Sequence, residues 1–224
     1  MKQRHPDPSI NLWINAARSH GPDEIKIDLD NGADPNYSRN NITVLQAAAE
    51  RGNAGVIKML IEARADLHKQ KESNLATPLH IASLHNSLGG TKELLKARAD
   101  VNKVMINGFT PLMLASHEGH INVVRLLIQA KADINQKTTT NKPLNVLDCA
   151  LDGTNNDVSV AHVDVAQVLI KAGADPSEMA NKHLIPLARA SEKGYENALK
   201  LGFIKPFYPD EEIPAENVTV YEEL

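Results

Sequence analysis

The chain has 224 residues, 42% of them hydrophobic and 23% charged, a balance that excludes disorder along most of its length. Aromatics make up only 4%, so Ala and Leu must build the interior, which favours thin, closely packed helices over one large aromatic core. The formal net charge of -4 supplies no general attraction to nucleic acid or anionic membrane.

The N-terminus, MKQRHPDPSINLW, carries prolines where an export signal needs its apolar stretch, and no window along the chain is apolar enough to span a bilayer. The expectation is a cytoplasmic protein without membrane insertion. A first helical unit is then placed from Asn11 to Asn36 (NLWINAARSHGPDEIKIDLDNGADPN), ending on Gly32-Ala33-Asp34-Pro35-Asn36. The second starts at Thr43, the third at Thr77 (ATPLHIASLHN) and the fourth at Thr110 (NGFTPLMLASHEGH), so these anchors lie 34 and 33 residues apart. Behind each anchor comes a small residue (Ala48, Ala82, Ala115), an aliphatic cluster, and a closing Ala-Asp pair at Asp66, Asp100 and Asp133. A fifth unit starts at Asn145 (NVLDCALDG) and is lengthened by the insertion Thr154 to Asp164. A sixth, from Ile185 to Phe203, stops before the closing turn.

The physical reading of one unit is a helix pair. Thr caps a helix by accepting from an early N–H, and Pro is tolerated at the first helical position because its missing N–H has no partner there. Small residues then let neighbouring helices approach, while Leu and Ile recur at helical spacing on a second helix. A single pair cannot bury its apolar side, so stacked copies form a solenoid with one continuous core. Two irregularities bear on stability. Arg64, Arg98 and Lys131 stand where Gly32 and Gly173 close other units, a position that reads as a left-handed helix cap. Asn86-Ser87-Leu88-Gly89-Gly90 puts two glycines at the start of a second helix and marks the third unit as a weak point.

Thr77-Pro78-Leu79-His80-Ile81-Ala82 resembles the signature of the ankyrin-repeat family, and Thr110-Pro111-Leu112-Met113-Leu114-Ala115 departs from it only at the His. Motif, period and closing Ala-Asp agree in phase over roughly residues 9 to 205. The resemblance implies an all-α solenoid, an array over residues 1–205 with repeats starting near 11, 43, 77, 110, 145 and 185. Residues 206–224 follow as an acidic tail with six carboxylates and no Lys or Arg, read as a cap on the last helix pair, the alternative being an acidic peptide recognised by a partner or folded back over the concave face.

Chemical alternatives are weaker. His117-Glu118-Gly119-His120 lacks the spacing that puts two imidazoles one helical turn apart, and Gly119 should end the helix between them, so no metal site is read there. Cys149, the single cysteine, cannot form an internal disulfide, which points to a reducing compartment, and beside Ala150 it reads as a buried thiol. No phosphate-cradling loop or nucleophile elbow is present, so neither catalytic residues nor cofactors are expected.

The family resemblance implies binding of a partner protein on the concave face, made of the hairpin tips before each Thr and the exposed ends of the first helices. Carried over by position, this gives Arg39, Asn40 and Ile42 with Glu50 and Arg51 in repeat two. Repeat three gives Ser73, Asn74 and Ala76 with Leu84 and His85; repeat four gives Met105, Ile106, Asn107 and Phe109 with His117 and Glu118. Phe109 is the expected anchor, because apolar residues on a solvated turn suggest an interface, with packing against the adjacent tips as the equally weighted alternative. Similarity to substrates of the asparaginyl hydroxylase that modifies ankyrin proteins further singles out Asn102 and Asn135 for modification, against the plain reading that both serve the repeat's turn. The chain is thus read as a monomeric, non-catalytic adaptor, inhibitor or host-directed effector, the alternative being an enzyme's accessory subunit or substrate.

Overall fold

A computed structural model describes residues 5–18, 21–151 and 160–175. The sixth repeat, most of the insertion at 154–164 and the acidic tail with its proposed capping role lie outside the described residues. The described chain runs α1 (Pro8–Ala17), α2 (Pro22–Asp30), β1 (Ser38–Arg39), β2 (Ile42–Thr43), α3 (Val44–Arg51), α4 (Ala54–Glu62), α5 (Pro78–Leu84) and α6 (Leu88–Lys96). It continues through α7 (Pro111–His117), α8 (Ile121–Gln129), α9 (Val146–Leu151) and α10 (Val160–Lys171). Odd-numbered helices pack on one another in sequence (α1 on α3, α3 on α5, α5 on α7, α7 on α9), and the even-numbered helices form a second layer behind them. The all-α solenoid expected from the period is what forms.

Local chemistry explains several of the helix starts. The Thr43 hydroxyl accepts from the Gln46 N–H while the Gln46 side chain accepts from the Thr43 N–H, a reciprocal capping box. Asn145 and Asp148 repeat the device at α9, and Thr110 accepts from the Met113 N–H at α7. The first repeat departs from the sequence reading. Its helix begins at Pro8, not after Asn11, because Asp7 accepts from the Ser9 N–H and Pro8 supplies the first helical residue. Ala16 is nevertheless buried against the stack as Ala48, Ala82, Ala115 and Ala150 are.

The second helices end as the residue pattern implies. Arg64, Arg98 and Lys131 have φ of 68°, 67° and 66°, in the left-handed region. In each case that residue's own N–H and the next one fold back onto the helix: the Arg98 N–H reaches the Leu95 carbonyl and the Ala99 N–H the Leu94 carbonyl.

The core is a run of aliphatics shared between repeats. Val56, Ile57 and Leu60 of α4 and Val123, Val124 and Leu127 of α8 occupy equivalent inward positions and are fully buried. In α6 the equivalents are Gly90, Thr91 and Leu94. The double glycine does not break that helix. A Cβ on Gly89 would lie 2.8 Å from the Ala54 Cβ, and one on Gly90 would lie 2.6 Å from the Ile57 Cδ1, so both glycines let α6 approach α4 closely. Repeat three carries another feature that bears on stability: the hydroxyls of Ser83, Ser87 and Thr91 are buried without a hydrogen-bond partner. Each such group retains part of its desolvation cost, about 1–3 kcal/mol.

Candidate functional site

The hairpin tips are built from backbone turns that place particular residues outward. In repeat two, Arg39 pairs with Ile42 across a two-residue turn, where Asn40 and Asn41 both have positive φ (52° and 60°), the conformation that matches strand twist and that Asn tolerates. In repeat three the Leu75 N–H closes on the Lys71 carbonyl at 2.7 Å, and Leu75 itself sits at φ 62°, 36% exposed. A branched aliphatic held in the left-handed region is strained by about 1–3 kcal/mol and persists only because the surrounding turn fixes it. In repeat four the Met105 N–H reaches the Phe109 carbonyl and the Gly108 N–H the Met105 carbonyl.

Neighbouring tips are then tied together. The Ile106 N–H donates to the Asn74 carbonyl and the Thr139 N–H to the Asn107 carbonyl, both at 3.0 Å. Gly108 makes the second tie possible: a Cβ there would run into the backbone of Thr138 and Thr139.

Behind the tips lies a cleft of about 160 Å³. Ile81, Leu84 and Leu114 form its floor, Ile42 and Met105 flank it, and Lys71 and Glu50 supply charge. Of the residues selected from sequence, the cleft brings together Ile42, Asn74, Met105 and His85, with Glu50, Ala76 and Leu84. The others have separate positions. Arg39 stacks on Trp13, its guanidinium carbon 5.6 Å from the ring centre, while the Trp13 indole N–H donates to the Ile42 carbonyl. The Arg51 Nε donates to the Ala17 carbonyl at 2.8 Å, fastening repeat two to repeat one. His117 bonds Glu118 at 3.0 Å on the exposed end of α7, and the His117 carbonyl faces the His162 Nε2. Ser73 and Asn40 are exposed on their turns.

Phe109 and Ile106 differ in exposure. Phe109 is half-buried and packed on the core, and its carbonyl is engaged by His80 as well as by the Met105 N–H. Ile106 is 67% exposed, the most open of the large aliphatics among the described residues. Trp13, Lys71, Leu75 and the floor residues Ile81 and Leu114 were missed. The floor residues repeat with the anchors, four positions after each Thr, which was the available signal.

His80 shows how the signature works. Its Nδ1 accepts from the Thr77 N–H, with the Thr77 hydroxyl 2.8 Å away, and its Nε2 lies 3.2 Å from the Phe109 carbonyl oxygen. A carbonyl only accepts, so the neutral ring carries its proton on Nε2. Burial lowers its pKa to about 4, against the weaker opposing pull of the Phe109 and Lys103 backbone and of Asp100. His120, expected to be an ordinary turn residue, likewise bonds backbone: its Nε2 faces the Leu84 carbonyl at 3.0 Å. The side chain of Asn102, one of the two modification candidates, accepts from the Asp133 N–H at 2.8 Å, as Asn36 does from Asp66, so its amide oxygen serves the junction between repeats. Asn135 is exposed beside a second cleft with Ile134 and Lys137.

The family model for ankyrin repeats (three copies) matches residues 13–105, 76–138 and 89–179. The chain belongs to the ankyrin-repeat family. No curated protein sequence matches it. Ankyrin repeats are generally protein-interaction modules, and the cleft lies where this ankyrin array turns its tips and first helices toward solvent. Among the described residues no helix is long and apolar enough to cross a membrane.

Proposed function

We propose that this chain is a non-catalytic binding module that grips a partner protein on its concave face, between the tips of repeats two to four and the ends of α3, α5 and α7. The observation that carries the reading is the placement of Ile106, 67% exposed on a tip whose backbone is fixed to the neighbouring tip, beside an apolar-floored cleft. A rigid aliphatic anchor next to a concavity binds with little ordering cost, and such anchors dominate interface energy. Ile42, Asn74, His85 and Met105 line the cleft. The biological use is as an adaptor, inhibitor or effector that acts by occupying its partner.

The test is affinity capture with the wild-type chain and with Ile106→Asp and Leu84→Asp. A partner recovered by the wild type and lost by both variants, with melting curves unchanged, supports the reading. Undiminished recovery by both variants moves the interface elsewhere.

A further inference from the structure

The second helices are not equally held to the stack. At the two adjacent inward positions where α4 has Val56 and Ile57 and α8 has Val123 and Val124, α6 has Gly90 and Thr91, so only Leu94 matches its counterparts Leu60 and Leu127. Burial of branched side chains between neighbours is what holds such a helix in a solenoid, and α6 lacks it at two of three places. The glycines put backbone against Ala54 and Ile57 instead, and they lower helix propensity at two successive positions. Leu88, the first residue of α6, adds little, being 42% exposed.

Polar groups widen the difference. The Asn53 side chain caps α4 by accepting from the Val56 N–H at 3.1 Å, and His120, which precedes α8, bonds the Leu84 carbonyl at 3.0 Å. Ser87 stands at the same place before α6 and does neither; its hydroxyl and that of Thr91 are buried without a hydrogen-bond partner among the described residues. The C-terminal caps do not distinguish the three helices, since Arg64, Arg98 and Lys131 hold nearly the same φ. The front of repeat three is fastened differently: Gln46 bonds the Ala76 carbonyl, His80 the Phe109 carbonyl, and the Ile106 N–H the Asn74 carbonyl. None of these three ties involves α6.

We infer that α6 opens as a separate unit, leaving its place between α4 and α8 while α5, the tips and the neighbouring repeats stay folded, so that the back layer of the array has a hinge at repeat three. Sub-global opening is set by how much buried apolar contact a segment makes, and α6 makes the least at the equivalent positions, while the polar ties of the front layer survive its release. Nothing in this opening depends on what the concave face binds.

The experiment is amide hydrogen exchange of the full chain, read by mass spectrometry at pH 7 in water and in low urea. The α6 amides are expected to exchange at least about tenfold faster than those of α4 and α8, and with a weaker urea dependence, because releasing one helix exposes less surface than unfolding the array. The amides of α5 and α7 should stay as protected as those of α4 and α8. Thr91→Val, which supplies the branched side chain of the neighbouring repeats and removes one unpartnered hydroxyl, should slow α6 exchange by about tenfold. Exchange of α6 in step with α4 and α8, at the same rate and urea dependence, overturns the inference. So does exchange of α5 together with α6, which makes the whole repeat the opening unit, and so does α6 exchange left unchanged by Thr91→Val.

Discussion

His80 of the third repeat bonds the Phe109 carbonyl of the fourth at 3.2 Å, and Gln46 of the second bonds the Ala76 carbonyl of the third at 3.1 Å. The two side chains stand at the same position of their repeats and do the same two things: accept from the capping Thr N–H and donate to the carbonyl just before the next Thr. A capping residue therefore doubles as the bolt between repeats.

This equivalence sets a pH prediction. His80 titrates near 6.5 unfolded and about 4 folded, so between those values the unfolded chain binds the extra proton. Stability from the neutral ring is fully present above pH 6.5 and is lost as pH falls toward 4, by about 3 kcal/mol at most. His80→Gln keeps both bonds, as Gln46 does, without a titrating group. Urea melts at pH 7 and pH 4.5 should show a markedly smaller acid loss in His80→Gln than in wild type.

The cap of α6 predicts a gain. Arg98 holds φ at 67°, where Gly is unstrained, so Arg98→Gly should stabilise by about 1 kcal/mol. Thermal unfolding should shift upward by about 2–4 °C. An unchanged or lower midpoint would mean that the guanidinium's interaction with the helix C-terminus outweighs the strain.

Repeat three offers the opposite pair. Thr91 is fully buried with an unpartnered hydroxyl, where the neighbouring repeats have Ile57 and Val124. Thr91→Val preserves shape and removes the orphan, and should raise stability by about 1–2 kcal/mol. Gly90→Ala should destabilise by about 1–3 kcal/mol in spite of better helix propensity, because its methyl meets Ile57. Chemical denaturation of both variants reads the two signs.

Phe109 and Ile106 separate stability from recognition. Phe109→Ala removes a half-buried ring packed on the core and should lower the denaturation midpoint. Ile106→Ala removes little but exposed surface, so its midpoint should stay within about 0.5 kcal/mol of wild type while partner affinity falls.

The architecture was legible because its determinants are local and repeated. Thr-Pro starts at Thr77 and Thr110, and basic residues in glycine's place at Arg64, Arg98 and Lys131, each imply one backbone conformation, and the structure has it. What escaped depends on contacts between repeats. Asp7-Pro8 started a helix without the expected Thr, since Asp caps as well. Gly89-Gly90 looked like a break because the sequence does not show Ile57 and Ala54 pressed against them. The two readings of Phe109, anchor or packing, stayed open because the turn geometry that faces it inward and Ile106 outward is set by hydrogen bonds to Met105 and Asn74. The partner-binding role of these residues is a proposal that the variants above decide.

The backbone ties between tips also fix how the molecule bears load. A pull applied at Ile106 is passed at once to Asn74 on one side, and through Asn107 to Thr139 on the other, so no single loop yields alone. Prising the third repeat from the fourth must break such a tie first, and a ligand clasped across it works as a splint over the seam. Occupancy should therefore stiffen the array along its length, and uncoiling from one end should stall where the ligand sits.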